Sequence, residues 1–379
     1  MQQQYQTNLG EYLQVSPNQI RLFWKGRVAL YASLKAMGIG PGDEVILPGF
    51  TCVVVPNAIF YLGAIPIYVD INSETLCCDL ADVEASITTR TKAIVIQNML
   101  GLNVQVNEIV AMAASKGIYT IEDCTHGFGG KLRDKFCGTF ADVSFFSTQW
   151  NKPFSTGIGG ILVINNSELT QPISLVDTDL VMPSFKESSM LSMLIFARRY
   201  FLKGWVYWQL LRVYRFLSKH GWVIGSSSSE ELEGITMPDD YFKGMSEVQC
   251  KQGMKALRNL DKILAKRKSN ALIVHEWLKT NGKKSVPDHL IKEHTFLRYP
   301  ILVGDRGGFM ELAEQANLPL GDWFISPLHP IEGELSKWKL KVEDVPVSVK
   351  ISSQIVNLPL EGNPKVLMSF LEKNITQIN

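Results

Sequence analysis

The sequence lacks the features that mark several specialised classes of protein. It has no uncharged run of about 18 apolar residues, so we expect no membrane-spanning helix. Its 38 Lys and Arg residues nearly balance its 37 Asp and Glu residues, which argues against a protein that works mainly by binding nucleic acid. The N-terminus has no basic segment followed by an apolar stretch, so no secretory signal is expected.

Cysteine is scarce, and its pattern indicates neither a disulfide framework nor a metal site. The six cysteines include no CxxC pair and no zinc-like spacing with histidine. Cys77 and Cys78 are adjacent, which makes a bond between them difficult. We therefore expect a reducing, cytoplasmic environment and no metal ion.

The first 165 residues alternate between apolar, strand-like segments and helical ones. Nearly continuous apolar strands separated by helices are typical of a largely parallel α/β sheet that is buried on both faces. The predicted helices are 26–37, 54–62 and 103–116, and the predicted strands are 41–48, 64–71, 92–99, 117–124, 141–147 and 159–165.

The later part of the chain indicates a second, smaller α/β unit. A length of 379 residues suggests two or three domains. We predict a large domain over 1–235 and a small domain over 236–379, the latter with one long helix over 246–280. A serine-rich stretch at 226–234 is typical of a surface link.

Residues 188–229 contain no Asp or Glu, which is unusual in a chain of balanced charge. Aromatic residues are frequent in the same segment. Such a composition suits the headgroup region of a membrane, but helix packing and a dimer interface are open alternatives. The basic residues concerned are Arg198, Arg199, Lys203, Arg212, Arg215 and Lys219, and the aromatic ones include Tyr200, Trp205, Tyr207, Trp208, Tyr214 and Trp222.

Polar residues with distinct chemistry follow the predicted strands. Ligands of open α/β sheets bind at the carboxyl ends of the strands, and a helix N-terminus can hold a phosphate. An amine, a carboxylate, a polar group for a ring oxygen, and a phosphate site are together what pyridoxal phosphate requires. The residues that offer them are Asp123, His126, Ser147, Lys152 and the helix start at 25–28.

The same segments carry a family resemblance. The run from Gly26 to Thr75, including MGIGPGDEVILPGFT, together with IEDC at 121–124, TGIGG at 156–160 and VNLPL at 356–360, resembles the DegT/DnrJ/EryC1/StrS aminotransferases. These are pyridoxal-phosphate enzymes that act on nucleotide-linked sugars. The resemblance implies the PLP-dependent transferase fold of type I, which is aspartate aminotransferase-like.

The resemblance also implies a role for each candidate residue. It assigns the Schiff base to Lys152, the partner of the pyridine nitrogen to Asp123, and the contact with the ring oxygen to His126. It assigns the cofactor phosphate to Ser147 and to the backbone amides of Gly26, Arg27 and Val28. The ordinary alternatives are a surface lysine, a helix cap, a core histidine and a turn-capping serine.

The sequence departs from the family pattern at three places. Lys25-Gly26-Arg27 replaces S-G-T, so two cations either meet the phosphate or face solvent. Cys52 replaces an aromatic residue that stacks on the ring, and is either a cofactor contact or a core cysteine. Phe242 replaces an Asn that usually comes from the second subunit, and Lys243 is the alternative for that contact. His329 matches a family histidine near the mouth of the site.

The implied function is transamination. An amino donor, usually glutamate in this family, gives its amino group to a keto-sugar, expected to be nucleotide-linked, in surface-glycan or related sugar biosynthesis. Related sugar dehydratases have a histidine in place of Lys152, so the lysine favours transfer over dehydration. A homodimer is expected. The alternatives are a membrane-surface or partner-binding protein on the same fold, and amination of a free keto-sugar or keto-acid.

Overall fold

The computed structural model describes residues 1–102, 104–201, 207–219, 222–225, 227 and 229–379. Lys203 and Trp205 of the basic aromatic segment, and parts of the serine-rich link, lie outside the described residues. The same holds for the side chains of Tyr207, Trp208, Arg215 and Lys219.

The strands and helices follow the predicted alternation closely. The strands are β1 (Ile20–Phe23), β2 (Glu44–Pro48), β3 (Thr51–Cys52), β4 (Ile65–Val69), β5 (Thr91–Gln97), β6 (Tyr119–Asp123), β7 (Lys131–Leu132), β8 (Lys135–Phe136), β9 (Val143–Ser147), β10 (Gly160–Ile164), β11 (Tyr299–Leu302), β12 (Leu328–His329) and β13 (Ile355–Leu358). The helices are α1 (Gln2–Leu13), α2 (Gly26–Ala36), α3 (Val54–Phe60), α4 (Leu80–Ala85), α5 (Val106–Ser115), α6 (Thr170–Val176), α7 (Phe185–Tyr200), α8 (Tyr207–Lys219), α9 (Ser229–Glu233), α10 (Glu247–Leu257), α11 (Leu260–Thr280), α12 (Arg306–Gln315), α13 (Pro346–Ser352) and α14 (Pro364–Lys373).

A seven-stranded mixed sheet forms the centre of the molecule, in the order β1-β10-β9-β6-β5-β2-β4. The strands from β9 to β4 are parallel; β10 is antiparallel to β9, and the edge strand β1 is antiparallel to β10. Strands β2, β9 and β10 are buried along their whole length. The largely parallel sheet is therefore confirmed, with β1 as an edge strand that the sequence prediction did not include.

Helices cover both faces of this sheet. Helix α2 is almost entirely buried and packs with apolar residues of β2, β5, β6 and β9 in one core. Helix α5 packs against the opposite face through Val106 and Ile109. Burial on both faces explains why the strands are apolar throughout rather than alternating.

The C-terminal part has a core of its own around the antiparallel pair β11–β13. Phe296, Tyr299 and Phe309 are fully buried there. Residues just after the predicted boundary at 235/236 pack elsewhere, because Tyr241 belongs to the core of the large sheet. The domain boundary itself stays a prediction.

The prediction of one helix over 246–280 is wrong. Helix α10 ends at Leu257, and α11 begins at Leu260 after Asn259, whose backbone (φ −107°, ψ 2°) leaves the helical region. Asn competes with helix geometry through local hydrogen bonds, and Asp261 then supplies an acidic residue in the first turn of α11.

Strand β12 and helix α13 are among the elements that attach the C-terminal part to the N-terminal part. Strand β12 pairs in parallel with β3, so that His329 lies opposite Cys52. The Asp70 carboxylate accepts hydrogen bonds from the amides of Val347 and Ser348, at 2.7 and 2.9 Å, and so caps α13 from the end of β4. Among the described residues, no helix is both long enough and apolar enough to cross a membrane.

We expect Asp70→Ala to lower the free energy of unfolding by about 1–2 kcal/mol, because it leaves the N-terminal amides of α13 without their acceptor. The measurement is the urea midpoint followed by circular dichroism. Asp70→Asn, which keeps an oxygen acceptor but no charge, should lose less. An unchanged midpoint in the alanine variant would contradict this role.

Candidate active site

The carboxyl edge of the sheet opens into a cavity of about 610 Å³. The register places Gln97 of β5 opposite Asp123 of β6, and Asp123 opposite Phe145 of β9, so the residues that follow these strands meet at one edge. Of the predicted residues, those that line the cavity are Gly26, Arg27, Cys52, Asp123, His126, Ser147, Lys152 and His329.

Lys152 lies in a loop whose two ends are joined by hydrogen bonds. The hydroxyls of Thr148 and Thr156 are 2.6 Å apart, and the Thr148 amide donates to the Gly159 carbonyl at 2.9 Å. The Lys152 ammonium lies 5.5 Å from the ring centroid of Trp323. The closed loop thus holds the lysine inside the cavity rather than at the surface.

The surroundings of Lys152 shift its protonation. Burial lowers the pKa of Lys152 to about 8, although the Asp123 carboxylate opposes the shift; the charge of Arg27 lowers it further. At pH 8 about half of such amines are neutral, and a neutral amine is a nucleophile.

Asp123 is the buried counter-charge at the end of β6. Its Oδ1 accepts a hydrogen bond from the Thr125 amide at 3.0 Å. Burial raises the pKa of Asp123, while the hydrogen bonds from Thr125 and the charge of Lys152 oppose that rise. The cavity therefore holds an amine and a carboxylate that influence each other at close range.

His126 forms part of the cavity wall and is held from two sides. Its ring stacks on Trp323, with centroids 5.4 Å apart and planes 20° apart. Its Nδ1 accepts a hydrogen bond from the Leu100 amide at 3.2 Å, which places the ring proton on Nε2 in the neutral form. Burial, together with the charges of Lys152 and His329, holds the pKa of His126 well below its usual range. The histidine is thus a neutral donor.

The start of α2 lies directly against Ser147. A Cβ atom at Gly26 would lie 3.0 Å from the Cβ of Ser147, so glycine is needed for this close approach. Lys25 offers no side-chain cap to the helix. The Val28 amide donates to the Lys25 carbonyl at 3.2 Å and the Val28 side chain is buried in the core, so only Gly26 and Arg27 of the three predicted residues line the cavity.

The two cations at the start of α2 share a buried carboxylate. Arg27 Nη1 lies 2.6 Å from Glu231 Oε1, and Lys25 Nζ lies 3.6 Å from Glu231 Oε2. The Glu231 backbone is fixed in turn, because its carbonyl accepts a hydrogen bond from Asn57 at 2.7 Å. Arg27 therefore does not face solvent. Two cations with one anion leave a positive excess beside a helix N-terminus, which favours an anion.

Sequence reasoning missed two residues of this site. The sequence contained one indication of Glu231, because it is among the first acidic residues after the acid-free segment 188–229. Trp323 packs against both His126 and Lys152. Its only indication in the sequence was its closeness to His329.

Lys243 lies in ion pairs within this chain. Its ammonium contacts Glu187 at 2.6 Å and Asp240 at 2.8 Å. The Phe242 ring packs on Phe23 and Tyr31. Neither residue lines the cavity of its own chain, and the contact with a second subunit stays a prediction.

The residues present fit pyridoxal phosphate. A buried amine with a lowered pKa, a buried carboxylate, a neutral histidine, and a serine pressed against a positively charged helix start all line one cavity. Its volume lies within the range of about 300–1,000 Å³ that is usual for cofactor and ligand sites.

Comparison with known proteins agrees with this chemistry. The family model described as "DegT/DnrJ/EryC1/StrS aminotransferase family" matches residues 2–187 and 210–365. The GDP-perosamine synthase of Escherichia coli O157:H7 is 44% identical over 144 residues, which is 38% of this chain and 40% of that protein. A UDP-N-acetyl-3-dehydro-alpha-D-glucosamine 3-aminotransferase of Acidithiobacillus ferrooxidans is 38% identical over 149 residues, which is 39% of this chain and 40% of that protein.

A solved structure shares the fold. NtdA from Bacillus subtilis, crystallised with bound cofactor PMP, matches with a TM-score of 0.71 at 24% identity, over 99% of this chain and 77% of that one. The aligned segments span about 40% of the length of the two curated relatives. The predicted fold class is confirmed.

We expect the Lys152 amine to react with trinitrobenzenesulfonate in a pH-dependent manner, with half of the maximal rate near pH 8. An ordinary lysine would titrate near pH 10.4. Asp123→Asn removes the opposing charge and should move the midpoint to lower pH, whereas Arg27→Met should move it to higher pH. Mass spectrometry of the labelled peptide provides the measurement, with exposed Lys337 as the internal control. Shifts of the same sign in both variants would contradict the assigned causes.

Proposed function

This chain belongs to the DegT/DnrJ/EryC1/StrS aminotransferase family, and from this premise we propose that it is a pyridoxal-phosphate-dependent aminotransferase acting on a keto-sugar. The observation that carries the proposal is the buried Lys152 amine, whose pKa lies near 8, in one cavity with the Asp123 carboxylate. Titratable groups whose pKa is shifted by burial and by a charged partner, and that lie in a cavity, are characteristic of functional sites.

Each residue of the cavity has a place in cofactor binding. Pyridoxal phosphate, when bound, supplies a conjugated ring that withdraws electrons from the reacting carbon and carries the amino group from donor to acceptor. Asp123 would keep the ring nitrogen protonated, and His126 would donate from Nε2 to the ring oxygen. Ser147 and the amides at Gly26 and Arg27 would hold the phosphate.

Lys152 would bind the cofactor through its amine and also move protons. The Nζ atom can take up a proton and return it near neutral pH, because its pKa lies close to the working pH. Trp323 and Phe324 cover this region with apolar surface, which limits the access of water to the reacting atoms. A lysine in this position favours amino transfer over sugar dehydration.

The positive lining supports a nucleotide-linked substrate. Arg198 and Arg298 line the cavity in addition to Lys25 and Arg27, and guanidinium groups suit phosphate oxygens. The two curated relatives are named for GDP- and UDP-linked sugars. We therefore infer a nucleotide-linked keto-sugar as acceptor, glutamate as donor, and a place in surface-glycan biosynthesis.

We further infer a homodimer that works in a reducing, cytoplasmic environment. All six cysteines are free thiols, in keeping with such an environment. The family resemblance places active sites between subunits, and Lys243 is the candidate that would stand in for the missing Asn.

The test is the visible absorption of the purified protein with pyridoxal phosphate, before and after addition of glutamate. We expect an absorption band above 380 nm that disappears with glutamate, and its loss or displacement in Lys152→Ala, whereas Lys337→Ala should behave as wild type. If the wild type keeps no such band once unbound cofactor has been removed by gel filtration, the proposal is overturned.

The identity of the amino acceptor is tested by asking which compound restores the absorption band that glutamate removes. The glutamate-treated protein is mixed with GDP-linked keto-sugars, UDP-linked keto-sugars, a free keto-sugar and a keto-acid in separate reactions. Recovery with nucleotide-linked sugars alone is expected. Recovery with the free keto compounds alone would replace the proposed substrate class by that alternative.

A further inference from the structure

Helices α7 and α8 present large apolar side chains to solvent. Phe196, Phe201, Val213, Phe216 and Trp222 are each more than half exposed, and we call them the α7–α8 surface. The rings of Phe196 and Phe201 lie 6.3 Å apart, and those of Phe216 and Trp222 lie 6.4 Å apart. Clusters of large exposed apolar side chains often mark an interaction surface.

The sequence segment that carries this surface contains basic but no acidic residues. No Asp or Glu occurs between Ser188 and Ser229, although the chain has 37 of them, and six Lys or Arg residues occur there. Arg199 is exposed with its guanidinium 5.6 Å from the Tyr200 ring, and the Arg212 side chain is 68% exposed, with only a weak pair to Glu314 at 3.9 Å. The partner is therefore expected to be apolar and negatively charged.

A second copy of this chain fits these features poorly. If two copies paired through this surface about a two-fold axis, the basic residues of both copies would lie close together and repel one another. The interface of an anionic bilayer offers the complementary chemistry, because it accepts aromatic rings at headgroup depth and attracts nearby Lys and Arg residues.

We propose that the α7–α8 surface docks the protein on the surface of an anionic membrane. Neither helix is long and apolar enough to cross the bilayer, so the helices lie on it. The two helices that carry this surface also border the cavity, because Arg198 of α7 and Tyr214 and Ser218 of α8 line it. Docking would hold the cavity mouth close to the lipid headgroups.

The inward contacts of α7 allow docking without disturbing the site. Arg198 donates to the Trp150 carbonyl at 3.4 Å and to Asn151 at 3.3 Å, beside Lys152. Leu191 on the same helix is fully buried. The helix is thus fixed to the body by one face while its aromatic side chains remain outside.

The experiment is flotation of the full-length protein with vesicles of phosphatidylcholine alone and of phosphatidylcholine with 30% phosphatidylglycerol. We expect flotation only with the anionic vesicles, and its decrease at high salt. The double variant Phe196→Ser/Phe216→Ser should lose at least tenfold in the bound fraction, and Arg199→Gln/Arg212→Gln should lose severalfold. Val342→Ser/Val366→Ser, which alters two exposed valines of the C-terminal part, is the matched control and should bind as wild type.

Folding and oligomeric state are checked on the same samples. Circular dichroism and the melting temperature establish that each variant is folded, and sedimentation velocity gives its mass. The proposal is overturned if folded wild type does not float with anionic vesicles, or if the aromatic variant floats equally well. It is also overturned if the aromatic variant loses dimerisation while the wild type shows no vesicle binding. None of these outcomes depends on aminotransferase activity.

Discussion

Parallel pairing of β5, β6 and β9 is the constraint on which the site depends. Parallel strands end at the same edge, so the residues that follow them must converge whatever their separation in sequence. Asp123 ends one strand, and Ser147 and the loop of Lys152 follow another. A buried amine and a buried carboxylate then stabilise each other, and each makes the burial of the other less costly.

The second organising feature is the group of charged residues at the start of α2. Where the family has small hydroxyl residues, this chain has Lys25 and Arg27, and their charges are shared with Glu231 from a distant segment. Asn57 links Glu231 to the C-terminal part, because its side chain donates to the Glu231 backbone carbonyl and accepts from the Trp338 indole at 2.6 Å. The departure from the family motif is thus accompanied by a counter-charge, and the corner stays positive.

Local patterns in the sequence predicted those features that depend on residues close together in the chain. Strand and helix positions followed from apolar runs and their breaks, and the chemical residues from their places after strands. The features that the sequence did not predict lie in short segments or depend on contacts between distant parts of the chain. Strand β1 has only four residues, and the break at Asn259 interrupts an otherwise continuous helical pattern. Trp323 reaches the cavity, and Glu231 reaches Lys25 and Arg27, only through folding of segments remote in sequence, so motif spacing could not assign their contacts.

The pairing of β12 with β3 has a consequence for the order of events during synthesis. Cys52 is synthesised long before its neighbour in the cavity wall, His329. A nascent chain can contain the whole central sheet and still lack the wall that carries Trp323, Phe324 and His329. The cavity is therefore complete only after the segment with these three residues has been synthesised and packed against the sheet.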